Sequence, residues 1–136
     1  MGEVAHDVQK KAERTDIKNV WYLHVDIDPR SGEDIAQEQQ RALDLLRNPR
    51  NLPPPTCIVF SGGGYQGFWA LESPIPIDCE LAKAEDAKRY NLQIEILLGA
   101  DNVHDISRIM RLPGTINRPD PLKVKKGRTA ALAELI

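Results

Sequence analysis

The feature that most constrains the fold is a glycine-rich stretch, FSGGGYQGFW at residues 60–69, which contains a complete G-x-G-x-x-G pattern. In a dinucleotide-binding fold this pattern joins a strand to a helix, because the pyrophosphate binds at the helix N-terminus. Here a short apolar run, CIVF, supplies the strand, but aromatic residues and two prolines follow where the helix should begin. No Gly-Lys-Ser/Thr follows either, which excludes a phosphate-binding P-loop. The sequence therefore predicts a β-hairpin, 57–61 against 65–71, with three consecutive glycines as its turn.

Length and composition limit the chain to one globular domain. Its 136 residues suffice for one core and are too few for two ordinary domains. There is no run near the roughly 18 apolar residues of a membrane span and no signal-peptide core, so we expect a cytoplasmic protein without a membrane partner. The cysteines, Cys57 and Cys79, are too few for a disulfide framework or a metal-ligand cluster.

Alternating apolar residues from Val20 onward, VWYLHVDID, predict a strand with two distinct faces. One face is expected to be apolar and the other polar. The predicted apolar side chains are Trp21, Leu23, Val25 and Ile27, and the predicted polar-face side chains are Tyr22, His24, Asp26 and Asp28.

Two helices are expected, one before the hairpin in the sequence and one after it. The Ser-x-x-Asp pattern at residues 31–34 resembles a capping box and predicts a helix to about Arg47, where NPRNLPPP ends it. A second helical period runs from about Glu80 to Leu98, with Gly99 as its C-terminal cap.

The C-terminal part has weaker signals. Ile106, Ile109 and Leu112 recur at every third residue, which predicts a short helical turn, and residues 115–117 are compatible with a strand. The last residues, TAALAELI, are helical in composition.

The sharpest chemical feature is the carboxylate pair Asp26 and Asp28. Residues at i and i+2 of a strand share one face, so these side chains can hold divalent ions, as in two-metal phosphoryl transfer. A calcium-binding loop is excluded, because its glycine position is occupied by Ser31 and its terminal glutamate position by Gln37. A solvated or arginine-paired strand end is the remaining alternative.

Further candidates lie downstream of the pair. Asp101 and Asp105 could complete a metal site, although each, taken alone, is more typical of a turn or cap residue. Arg108 and Arg111 would share one side of a helical turn, which suits a bidentate grip on a triphosphate as well as surface ion pairs. Residues 107–136 carry seven basic and two acidic residues in a chain of net charge −2, which indicates phosphate contact or a solvated surface.

Three motifs together resemble the archaeo-eukaryotic primase superfamily, most closely the primase-polymerase domains of phage and plasmid replication proteins. They are HVDIDPR, SGGGYQGFW and SRIMRLPGTIN, in that order, and the similarity covers residues 18–128. The resemblance implies an α/β (α+β) fold, an RRM-like antiparallel sheet with the metal site on one face and helices on the other. Residues 1–136 would then form a single primase-polymerase catalytic core, a fragment of a longer replication protein.

The resemblance also implies roles for individual residues. The D-x-D strand would bind Mg²⁺ or Mn²⁺, and Gln66 stands where the family commonly has a histidine. The implied metal ligands are Asp26, Asp28 and Asp101, with Asp105 as the alternative third ligand. The implied nucleotide-binding residues are Ser61, Gly62, Gly63, Gly64, Gln66, Arg108, Arg111 and Asn117. The expected contacts to DNA are Lys123, Lys125, Lys126 and Arg128.

The function that these features predict is a DNA primase/polymerase, a metal-dependent nucleotidyltransferase in phage or plasmid replication. Its partners would be a single-stranded DNA template and nucleoside triphosphates, with a helicase domain or subunit as a further one, in the cytoplasm of a bacterial or phage-infected cell. One alternative is a non-catalytic module of a replication initiator that binds single-stranded DNA or nucleotides. A metal-dependent nuclease that uses the same carboxylates is a third hypothesis.

Overall fold

A computed structural model describes residues 1–136, the whole chain. Its elements, in chain order, are β1 (Gly2–Val4), β2 (Ile17–Ile27), α1 (Ile35–Arg47), β3 (Cys57–Phe60), β4 (Tyr65–Pro76), α2 (Leu81–Leu98), β5 (Ile116–Asn117), α3 (Pro121–Lys125), β6 (Ala131–Leu132) and β7 (Glu134–Leu135). The main sheet is antiparallel, with strand order β1-β2-β4-β3-β7, and β5 pairs with β6 as a separate two-stranded sheet. No helix combines the length and the apolar character that crossing a bilayer requires.

The predicted hairpin is confirmed as β3 and β4, with Phe60 opposite Tyr65. β4 continues beyond the predicted end at residue 71, through Pro74 to Pro76. Prolines lack the N–H that a central strand needs, so they are tolerated only where one edge is unpaired. Within β4, only residues 65–68 pair with β3, which leaves that edge of β4 unpaired where the prolines lie.

Both long helices pack on the same face of the sheet, as predicted. Val25 and Ile27 of β2 join Ala42 and Leu46 of α1 in the main core, and Ile94 of α2 completes this contact. α2 begins at Leu81 and ends before Gly99, whose positive φ of 61° makes it the expected left-handed cap. The fold is therefore the predicted α/β arrangement, an antiparallel sheet with helices on one face.

Two details of the first half differ from the prediction. Trp21 is 43% exposed, because the register between β2 and β4 shifts between Val20 and Tyr22 and interrupts the alternation. The indole N–H of Trp21 donates to Glu3 instead. The first cap of α1 is Asp34 and not Ser31, since the Asp34 carboxylate accepts from the backbone of Gln37.

The C-terminal predictions are largely wrong. Residues 105–112 form no helix, and Ile109 and Leu112 are 66% and 69% exposed, so only Ile106 of that apolar series is buried. The expected C-terminal helix is replaced by β6 and β7, which pair with β5 and β3 respectively. Open strand edges are available at both places, and this tertiary pairing overrides a weak local helical preference. The strand suggested at residues 115–117 is confirmed as β5.

Candidate active site

The carboxylate pair lies at the end of β2, on the sheet face opposite the helices. Val25 and Ile27 are buried in the core, so Asp26 between them projects to the other face, where it is cross-strand from Gln66. One carboxylate oxygen of Asp26, Oδ1, is buried without any hydrogen-bond partner. Burial, together with the nearby charges of Asp28 and Asp101, raises the pKa of Asp26 to about 6. An unpaired acid in this environment is stabilised by a cation.

Asp101 is the third carboxylate of this group. Its backbone N–H donates to the Asp26 carbonyl at 2.9 Å, and its Oδ2 accepts from the Asp28 backbone N–H at 2.7 Å. Burial raises the pKa of Asp101, and the charge of Asp28 acts in the same direction. Asp105 is exposed and makes no hydrogen bond to these carboxylates; its backbone carbonyl accepts from the Arg108 backbone N–H at 3.0 Å. The structure thus brings Asp101 beside the pair.

The donor set fits a divalent ion such as Mg²⁺ or Mn²⁺. Both ions prefer oxygen ligands, and the orphaned Asp26 oxygen together with the accumulated negative charge supplies what such an ion binds. The carboxylates are not already gathered around one point, since no three acidic, histidine or cysteine side chains form a ready metal cluster. Binding would therefore involve adjustment of the Asp28 and Asp101 side chains.

The glycine turn lies directly against the end of β2. Ser61 closes it, because its N–H donates to the Gly64 carbonyl at 2.9 Å and its hydroxyl lies 3.2 Å from the Gly64 N–H. Gly62 has a positive φ of 88°, which a side chain would strain. A Cβ at Gly64 would lie 2.2 Å from the Ile27 carbonyl oxygen, so this position needs glycine for close backbone approach.

A chain of hydrogen bonds ties the third motif to the hairpin. The Gln66 side-chain oxygen accepts from the Arg111 backbone N–H at 3.0 Å, and the Arg111 guanidinium donates to Asn117 at 2.9 Å. The Asn117 amide in turn donates to the Ser61 carbonyl at 2.7 Å. Gln66 lies cross-strand from Asp26, and its side chain acts to lower the pKa of that carboxyl, against the effect of burial. Arg108 is exposed, and its charge also lowers the pKa of Asp26.

The four residues expected to contact DNA separate into two groups. Lys123 and Arg128 lie against Asp28, with nitrogen–oxygen distances of 3.9 and 3.6 Å. Lys125 and Lys126 are exposed and form no ion pair. The sequence could not separate these groups, because Arg128 reaches the carboxylates only through the distant pairing of β5 with β6.

Two buried polar residues position the end of β2. His24 is fully buried, with Nε2 3.0 Å from the Val103 carbonyl, and burial lowers its pKa to about 4, so it is neutral near pH 7. Asn91 of α2 accepts from the His24 backbone N–H at 3.0 Å. Asn91 could not be singled out from the sequence, because its only signal is a polar residue within the apolar face of a helix.

No protein-family profile matches the chain, and no curated protein matches it in sequence. Among solved structures, the archaeo-eukaryotic primase (AEP) domain of the primase-polymerase of cyanophage S-2L matches 91% of this chain with a TM-score of 0.60 and 18% identity. The two proteins share a fold. The chain spans 55% of that cyanophage chain, and the identity is low enough that the match concerns the fold alone.

Proposed function

We propose that this chain is the catalytic core of a metal-dependent nucleotidyltransferase that makes or extends a primer on a single-stranded DNA template. The observation that carries the proposal is the buried, unpartnered oxygen of Asp26, which lies beside Asp28 and Asp101 and faces a glycine turn. The similarity in fold to a phage primase-polymerase domain supports the same reaction class. A helicase domain or subunit would be a natural partner of such an activity in phage or plasmid replication.

Each part of the site has a role in this reaction. Asp26 and Asp28, with Asp101, would hold Mg²⁺ or Mn²⁺, and ions bound there would stabilise the charge that develops at the reacting phosphate. The turn that follows Ser61 would offer backbone N–H groups to the triphosphate, because it carries no side chains to keep a phosphate away. Gln66 would add a neutral donor. The two arginines of the third motif would add positive charge.

A primer-extension assay with the full chain tests this function. With a single-stranded template, an annealed primer, Mn²⁺ and nucleoside triphosphates, we expect incorporation by the natural chain and none by Asp28→Ala. Asp105→Ala is the matched control, because this aspartate is exposed and makes no hydrogen bond to the carboxylate group, and it should retain activity. Retention of full activity by Asp28→Ala would refute the metal assignment.

The runner-up function is a non-catalytic module that binds nucleotides or single-stranded DNA. Gln66 favours it, since this residue brings no positive charge and its oxygen is already bound to the Arg111 backbone. Under this alternative the chain would bind DNA or a triphosphate but would not extend the primer in this assay. Degradation of the template strand would instead indicate a nuclease.

A further inference from the structure

A basic loop, residues 118–130, connects β5 to β6 and lies over the carboxylates. Pairing of Asn117 with Ala131 closes the loop, and Ala133 anchors it through hydrogen bonds of 2.8 Å with Gly114 and Thr115. The basic loop contains α3 and one acidic residue, Asp120, which caps that helix. Its basic side chains are Arg118, Lys123, Lys125, Lys126 and Arg128.

Arg128 is the member of this loop that enters the site. Its side chain is only 14% exposed, and its Nη2 lies 3.6 Å from Oδ1 of Asp28. A Cβ at Gly63 would lie 1.8 Å from Nη1 of Arg128, so the guanidinium rests directly on the backbone of the glycine turn. Gly63 has no positive φ, so a side chain there would conflict with Arg128 and not with the backbone conformation.

The space beside the carboxylates is small while the loop is in this position. Asp26, Asp28, Ser61, Gln66, Lys123 and Arg128 are among the residues that bound a cavity of about 70 Å³. A water molecule occupies about 30 Å³ in the liquid, so this volume is that of a few waters and not of a triphosphate. A triphosphate bound in that cavity would therefore displace Lys123 and Arg128 from Asp28.

We propose that Arg128 has two successive roles. Before metal and nucleotide bind, it serves as the counterion of Asp28, and afterwards it is a ligand of the nucleotide triphosphate. This inference rests on the proposed function. A guanidinium and a divalent ion compete for the same carboxylate, because their like charges repel at short distance. Once the ion holds Asp28, Arg128 is released directly above the glycine turn, where the phosphates would lie, and its planar fork suits them.

The proposal predicts effects of opposite sign on two ligands. In calorimetric titrations without DNA, Arg128→Gln should bind Mn²⁺ alone more tightly, by roughly two- to fivefold, the range for a partly exposed ion pair. In saturating Mn²⁺ the same variant should bind a nucleoside triphosphate roughly 10- to 100-fold more weakly, as expected for lost hydrogen bonds to charged groups. Arg118→Gln is the matched control, since Arg118 is exposed in the same loop and forms no ion pair, and both affinities should be unchanged.

Two further variants make the test decisive. Arg128→Lys keeps the charge without the fork, and should bind Mn²⁺ like the natural chain and the triphosphate with an intermediate affinity. The proposal is overturned if Arg128→Gln does not tighten Mn²⁺ binding, or if Arg118→Gln weakens triphosphate binding equally. Asp28→Asn separates this failure from that of the proposed function. Unchanged Mn²⁺ affinity in this variant would show that Asp28 does not hold the metal, which refutes the metal site itself.

Discussion

Asp26→Asn should stabilise the protein in the absence of metal. In the natural chain, Asp26 is a buried carboxylate beside two others, and its Oδ1 has no partner. A rise in pKa from 3.8 to about 6 corresponds to about 3 kcal/mol of destabilisation of the folded state above pH 6, at ~1.4 kcal/mol per pKa unit. An asparagine removes the charge and places an amide donor near Asp28 and Asp101. Because a buried polar group remains, we expect a gain of about 1–3 kcal/mol.

The raised pKa of Asp26 also predicts how the stability gain depends on pH. Between pH 3.8 and about 6 the folded state holds a proton on Asp26 that the unfolded state has released, so folding stability falls as pH rises through that window. The advantage of Asp26→Asn should therefore be full above pH 6 and absent below pH 4. For a domain of this size, the gain should appear as an increase in Tm of about 3–10 °C at pH 7.5 in EDTA.

Two comparisons complete the experiment. Asp28→Asn should not raise Tm, since Asp28 is the partner of Lys123 and Arg128. Mn²⁺ should raise the Tm of the natural chain, because a ligand that binds only the folded state stabilises it, and should raise that of Asp26→Asn much less. A lower Tm for Asp26→Asn in EDTA at pH 7.5, or a gain of equal size at pH 4, would refute the electrostatic reasoning.

Three other predictions concern the residues around the carboxylates. Gly64→Ala should lower Tm more than Gly63→Ala, because the new Cβ meets the rigid Ile27 carbonyl at position 64 and the movable Arg128 side chain at position 63; equal losses in thermal unfolding would contradict this. Hydrogen bonds from Arg30 and Arg41 hold the pKa of Glu38 below its ordinary value of 4.5. The stability that these bonds contribute is therefore present above that pH and is lost as pH falls. Thermal unfolding from pH 7 to pH 3 should therefore weaken the natural chain more than Glu38→Gln, and parallel curves would count against it. Arg111→Lys should weaken triphosphate binding in a calorimetric titration by roughly 10- to 100-fold, since lysine cannot keep the planar contact; an unchanged affinity would place Arg111 outside the nucleotide site.

What the sequence predicted correctly depends on local signals. The hairpin follows from a strand, three glycines and a second strand, and α2 follows from an apolar period that ends in Gly99. The placement of Asp26 follows from alternation along a single strand. Each of these signals lies within one element, so no distant contact was needed to interpret it.

The errors share a physical cause, which is pairing between distant segments. Trp21 is exposed because of a register shift relative to β4, which is more than forty residues away in the chain. The C-terminal residues Glu134 and Leu135 form a strand because β3 has an open edge. The composition of a segment does not indicate which distant strand it will pair with. A weak helical preference was therefore the only signal available for the C-terminal residues.

The same cause explains why the sequence could not separate Arg128 from its lysine neighbours. The basic loop crosses the site because β6 returns to pair with β5, and only that return places one cation against Asp28 while Lys125 and Lys126 remain exposed. A carboxylate site that destabilises the fold needs positive charge nearby when no metal is bound. A cation on a loop can supply this charge and still move away, whereas one on the central sheet could not. Under the proposed function, topology would set the order of events: the strands fix the acids, and the loop carries the charge that would give way to a ligand.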